Sequence, residues 1–253
     1  MKIKAKITHV FCALAFVFAP QFAMAETALV AVATNFSEVI DVLKSDFEAA
    51  TEHKLAIVSG STGKLYAQIV NGAPFDVFLA ADQARPARLV AEGRTFGPQF
   101  TFATGKLALW SVDENRIGED GLLALTEPYR RLAIANPQLA PYGVAAKEVL
   151  IALGLLEELQ NRIVMGENIG QTHALVASGN AELGIVALAY AISPRNAAAG
   201  SYWVIPTDLY SPIHQNAVLT RHAQGNAAAL AFVEYLQSDT AKETIRAHGY
   251  EVE

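Results

Sequence analysis

Four segments of the chain carry short hydroxyl, amide and glycine residues where a strand-like run passes into a helix-like one. They are Val32-Ala33-Thr34-Asn35-Phe36-Ser37, Ser59-Gly60-Ser61-Thr62-Gly63-Lys64, Asn136-Pro137 through Pro141-Tyr142-Gly143, and Gly166-Glu167-Asn168-Ile169-Gly170-Gln171. Ser, Thr and Asn are the preferred caps of any helix, so one such junction is ordinary. Four in one chain, two of them rich in glycine and hydroxyls, suit a second use. The first turn of a helix holds free N–H groups and the positive end of the dipole, and glycine lets backbone approach a ligand closely. The chemistry on offer is hydrogen-bond donation to an anion. On residue types alone, capping and anion binding both stand.

Other chemistry is thinly supplied. Gly60-Ser61-Thr62-Gly63-Lys64 invites comparison with a phosphate loop, but that pattern needs Gly at 58 and Ser or Thr at 65, where Val58 and Leu65 stand. Nucleoside triphosphate binding is therefore set aside. Beyond residue 25 five histidines (His53, His173, His214, His222, His248) are scattered, without metal-ligand spacing or a His-Glu-x-x-His run. His173 reads as a lone histidine on a surface helix. No Gly-x-Ser-x-Gly elbow occurs. Asp76 and Asp82 flank the Val77-Phe78-Leu79-Ala80 run, and a secreted hydrolase using them is the enzymatic alternative. Capping or ion pairing is the commoner use of such carboxylates. Nothing assembles a nucleophile, base and oxyanion hole, so the expectation is a non-enzyme with no catalytic residues.

The elements that position these junctions alternate. Strand-like runs fall at 28–33, 55–58, 75–80, 107–111, 132–135 and 183–186. Helix-like runs fall at 36–50, 64–71, 145–153 and 171–178, with a closing helical region at 226–247. That alternation implies βαβ units and an α/β fold with mostly parallel sheet. No Pro/Gly/Ser-rich linker divides the chain, so two units would be joined by strands, with 104–110 and 211–218 as the candidate crossings.

The chain of 253 residues is 52% hydrophobic and 17% charged with net charge −6, which excludes disorder and leaves no basic surplus for wrapping nucleic acid. Lys2, Lys4 and Lys6, the apolar run 10–19 and Ala23-Met24-Ala25 form the three parts of a secretory signal peptide over residues 1–25. Cleavage there leaves 228 residues, takes three lysines and so lowers the net charge to −9, and removes Cys12. The exported chain would hold no cysteine, hence no disulfide or thiolate chemistry.

At its junctions the sequence resembles the periplasmic molybdate-binding proteins of bacterial ABC importers. The resemblance rests on Ala33-Thr34-Asn35-Phe36, Ser59-Gly60-Ser61-Thr62-Gly63, the run Asn71-Gly72-Ala73-Pro74-Phe75-Asp76-Val77-Phe78-Leu79-Ala80-Ala81-Asp82-Gln83, Pro141-Tyr142-Gly143-Val144-Ala145-Ala146-Lys147, and Leu183-Gly184-Ile185-Val186. It implies a two-lobed periplasmic-binding-protein fold, each lobe a mostly parallel sheet flanked by helices, joined by hinge strands. Lobe one would be 26–104 and 216–253, and lobe two 105–215. It further implies a periplasmic monomer that captures molybdate or tungstate between the lobes and delivers it to a membrane permease. No cofactor and no direct metal ligand is implied, because the anion is held through its oxygens. Position by position, the resemblance assigns the anion to Thr34, Asn35, Ser61, Thr62, Tyr142 and Ile169, the last through its backbone amide. Some members carry a ligand tyrosine directly after the Leu-Gly-Ile-Val strand. Here that position is Ala187, and the Tyr142 hydroxyl would serve instead. Another tetrahedral oxyanion, sulfate or phosphate, is the alternative ligand.

Overall fold

The computed structural model describes residues 25–194 and 200–253. The signal-peptide segment lies outside the described residues apart from Ala25. Among the described residues there are two five-stranded sheets. In the first, β1 (Thr27–Ala33), β2 (Lys54–Gly60), β3 (Val77–Leu79), β4 (Phe100–Gly105) and β10 (Ile213–Leu219) lie in the order β2-β1-β3-β10-β4. In the second, β5 (Leu107–Ser111), β6 (Leu132–Ala135), β7 (Ile163–Gly166), β8 (Leu183–Ala187) and β9 (Ser201–Val204) lie in the order β7-β6-β8-β5-β9.

Side chains along β1 are apolar on both faces and alternate in destination. Ala28, Val30 and Val32 enter one core with Phe36, Val39, Ile40, Leu43 and Phe47 of α1 (Ser37–Ala50) and Phe232 of α9 (Ala227–Leu236). Ala31 enters the opposite core with Leu65 and Ile69 of α2 (Thr62–Val70) and Leu89 of α3 (Ala84–Ala91). A strand apolar on both faces is what a sheet covered by helices on both sides requires. The second sheet repeats the pattern. Leu107 and Leu109 face α5 (Pro141–Ala152), while Ala108 and Trp110 share a core with Val176 of α7 (Ile169–Ala177) and Leu188 of α8 (Leu188–Ile192).

In each sheet one strand opposes the rest: β10 is antiparallel to β3 and β4, and β5 is antiparallel to β8 and β9. These are the two strands by which the chain crosses. The other strands point their carboxyl ends at the boundary between the sheets, so a strand entering from that boundary has to run the opposite way. Only Lys106 separates β4 from β5. The return crossing differs from the expected limits, since residues 213–215 pair with β4 in the first sheet.

Helices begin earlier than the apolar periodicity suggests. Thr62 rather than Lys64, Pro141 rather than Ala145, and Ile169 rather than Gln171 open their helices. The junction residues are therefore the caps and first turns themselves. Ser61 caps α2 through Oγ, and Asn168 caps α7 through Oδ1.

Candidate functional site

The carboxyl ends of β1, β2, β6 and β7 each feed one of the four junctions, two from each sheet. The structure brings all four together, and each junction of the first sheet meets both junctions of the second. Gly170 N donates to Thr34 Oγ1 at 3.4 Å, and Gly63 N donates to Leu139 O at 2.9 Å. Lys64 Nζ and Glu167 Oε2 form an ion pair at 2.5 Å. Asn35 is linked to Tyr142 through Gln215: Asn35 Nδ2 donates to Gln215 Oε1 at 2.8 Å, and Gln215 Nε2 donates to the Tyr142 hydroxyl at 3.1 Å. The approach is close enough that a Cβ at Gly63 would stand 3.0 Å from Leu139 O. Glycine is the residue that allows it.

The expected site residues use their polar groups unequally. Ser61 Oγ accepts from Lys64 N at 3.4 Å, and Thr62 Oγ1 accepts from Ala81 N at 3.1 Å, so each buried hydroxyl keeps its proton for donation. In α2 the amides of Gly63, Lys64 and Leu65 bond Leu139 O, Ser61 Oγ and Ser61 O. In α7 the amides of Gly170, Gln171 and Thr172 bond Thr34 Oγ1, Asn168 Oδ1 and Asn168 O. Among the described residues this leaves the first amide of each helix, Thr62 and Ile169, both buried, without an acceptor. Buried N–H groups are rarely orphaned, so these two want a partner.

The Asn35 amide donates to Gln215 and, at 3.2 Å, to the Tyr250 hydroxyl, so both of its protons have partners within the protein. The Tyr142 hydroxyl accepts from Gln215, and the Tyr250 proton goes to Asn35 O at 2.6 Å. Burial, its largest cause, pushes the Tyr142 phenol well above its ordinary value, and Tyr250 likewise, so both stay neutral. A Cβ at Gly105 would fall 2.0 Å from the Tyr142 oxygen and 2.7 Å from Gln215 Nε2, so only glycine fits at the end of β4.

Residues that sequence reasoning missed surround this set. Three positions beyond Ala187, Tyr190 donates to Thr34 O at 2.5 Å, and burial raises its phenol to about 12. His173 is no surface histidine. It stacks between Tyr190 (4.9 Å) and Trp110 (4.6 Å), and burial lowers its pKa. Gln215 carried one signal, as the middle of the polar run His214-Gln215-Asn216 inside the strand Ile213–Leu219. An interlobe cavity of about 320 Å³ beside Arg85, Pro141 and Glu148 includes none of the six expected site residues.

The two carboxylates considered for hydrolysis stand apart. Asp76, before β3, is buried and accepts from Leu29 N at 2.7 Å and pairs with His222 at 3.0 Å. Asp82, after β3, caps and pairs with Arg85. Both are structural, and they lie at opposite ends of the strand. Among the described residues no three His, Cys, Asp or Glu side chains gather as a metal site, and no helix is long and apolar enough to cross a membrane.

Two α/β lobes, crossing strands, and helix N-termini converging from both sides define a class: the two-lobed solute-binding proteins, which bind rather than catalyse. The chain belongs to the family of bacterial extracellular solute-binding proteins, whose model matches residues 28–251. It is 46% identical over 229 residues to the molybdate-binding protein ModA of Azotobacter vinelandii, covering 90% of this chain and 91% of the relative. Its identity to ModA of Rhodobacter capsulatus is 42% over 232 residues, covering 91% and 90%. Among solved structures, the Azotobacter vinelandii periplasmic molybdate-binding protein superposes with a TM-score of 0.85 at 42% identity, covering 89% of this chain and 99% of that one.

Proposed function

We propose that this protein is exported to the periplasm by its first 25 residues, captures molybdate, and tungstate with it, between its lobes, and delivers the anion to the permease of an ABC importer. The lobes are residues 26–105 with 213–253, and 106–212, and the working unit is a monomer. The observation that carries the reading is the convergence of four helix N-termini, two per lobe, with the Thr62 and Ile169 amides lacking an acceptor among the described residues. A deprotonated tetrahedral dianion offers only acceptors, and these junctions offer N–H and O–H donors. Hydrogen bonds to a charged group contribute about 1.5–3 kcal/mol each, so a handful of them supports micromolar or tighter binding after the cost of closure. Two ModA relatives above 40% identity support molybdate as the anion. Protonated phosphate needs an acceptor. The carboxylate nearest to hand, Glu167, is already held by Lys64.

Calorimetric titration with molybdate, tungstate, sulfate and phosphate tests the reading. Molybdate and tungstate are expected to bind at least about a hundredfold more tightly than sulfate, a difference of about 2.8 kcal/mol. Thr62→Ala and Asn35→Ala are each expected to weaken molybdate binding at least about tenfold while the fold survives. Tight sulfate binding without molybdate binding overturns the ligand, and unchanged affinity in both variants overturns the site.

A further inference from the structure

The anion site rests on a hydrogen-bonded network whose members come from four separate parts of the chain. Asn35 Nδ2 donates to Gln215 Oε1 and to the Tyr250 oxygen, Gln215 Nε2 donates to the Tyr142 oxygen, and the Tyr250 hydroxyl donates to Asn35 O. The relative exposures are 2% for Asn35, 1% for Tyr142, 0% for Gln215 and 5% for Tyr250. In so dry a setting each bond is strong and each broken one leaves a costly orphan.

Tyr142 alone in this network belongs to lobe two. Its bond from Gln215 is thus an interlobe bond on the hinge side of the cleft, and opening the lobes must break it. Gln215 and Tyr250 are both held in place. The β10–β4 register shifts between Gln215 and Asn216, a bulge of the kind that re-aims side chains beside functional sites. It lets Gln215 enter the network while Asn216 accepts from Thr101 at 2.8 Å. Tyr250 sits on the C-terminal tail, where Glu251 exchanges backbone bonds with Thr104 at 2.8 and 2.9 Å and pairs with Lys106 at 2.7 Å. The Phe36 ring packs edge-on against Tyr250 at 5.3 Å.

We infer that Gln215 and Tyr250 are positioning residues for the anion: Tyr250 fixes Asn35, Gln215 holds Tyr142, and with it lobe two, against Asn35, and together they set how readily the cleft closes. The C-terminal tail thereby becomes part of the binding machinery without reaching the ligand. The affinity side of this inference rests on the oxyanion reading; the closure side does not.

The test uses the full chain and two variants on different elements, Tyr250→Phe and Gln215→Met. In ligand-free protein, native-state hydrogen exchange of the interlobe amides Gly63 and Gly170 reports opening, and the β1 amides serve as the control for overall stability. Each variant is expected to speed exchange at Gly63 and Gly170 at least fivefold relative to β1. Exchange that rises equally everywhere, or nowhere, overturns the inference. With sodium molybdate, each variant is expected to raise Kd at least fivefold in the wild-type background and by a smaller factor in a Tyr142→Phe background, since the closing part of each effect runs through the Gln215–Tyr142 bond. An equal rise in both backgrounds overturns the positioning role. A wild-type protein that binds no molybdate counts against the oxyanion reading, and the exchange result still decides the inference.

Discussion

Gly105→Ala is the most economical perturbation of this molecule, because a single methyl group enters at the end of β4 where the two lobes join. Its Cβ would lie 2.0 Å from the Tyr142 oxygen, 2.7 Å from Gln215 Nε2 and 2.9 Å from Tyr142 Cζ, so the phenol has to move by more than about 1 Å to reach ordinary contact. Helix α5 cannot yield toward β6, since Gly143 already packs so closely that a Cβ there would be 2.2 Å from Ala135 O. The movement falls on the lobe–lobe contact. Overpacking costs about 1–3 kcal/mol, and the hydrogen bond that Gln215 donates to Tyr142 contributes about 1 kcal/mol. Loss of that bond from the closed form weakens molybdate binding about fivefold. A total near 3 kcal/mol lowers the melting temperature by about 6–12 °C in a chain of this length. Calorimetry and thermal unfolding read the two effects. In the Tyr142→Phe background, which lacks the atom most strongly overlapped, Gly105→Ala should cost less than half as much in Tm. Binding within threefold of wild type and an unshifted melt would refute the steric argument.

Two further perturbations address the cleft and the aromatic stack. Lys64→Met removes an interlobe ion pair whose side chains are 53% and 34% exposed, so the loss is at most about 1 kcal/mol, or up to about fivefold in Kd. The wild-type affinity should also fall with added salt more steeply than the variant's, and parallel salt profiles would deny the pair a role in closure. His173 has a lowered pKa in the folded state, so the unfolded chain binds more protons just below pH 6.5 and stability falls as pH drops through that range. His173→Phe keeps the stack between Trp110 and Tyr190 but cannot titrate. Its melting temperature should fall less than the wild type's between about pH 7.5 and about pH 5.5, and identical slopes would remove His173 from the account.

Much of the fold is legible because the strands are buried on both faces. Runs such as 107–111 and 132–135 are continuous and apolar, and they match the observed strands end to end. Short strands with exposed residues, Ile163–Gly166 and Ser201–Val204, carry no such signal. Apolar periodicity begins only after a helix's first turn, which is where the junction residues sit, so it places the starts of α2, α5 and α7 too late. The junctions themselves stood out by composition, whereas their pairing did not. Lys64 meets Glu167, and Asn35 reaches Tyr250, across separations that no local pattern encodes. His173 looked like a surface residue because the rings on either side of it, Trp110 and Tyr190, come from other elements.

The placement of β10 has a consequence for how the chain is made. It lies between β3 and β4, so the first sheet stays split, with β4 detached from β1, β2 and β3, until residues 213–219 have been synthesised and carried across. The second sheet needs only residues 107–204, which form one uninterrupted stretch. The lobe that begins the chain is thus the one completed last, and its apolar strand edges at β3 and β4 stay open for most of the chain's emergence. If the chain is exported as proposed, that order serves a precursor kept unfolded until it has crossed the membrane, since its first lobe cannot close on itself until the last strand has been made.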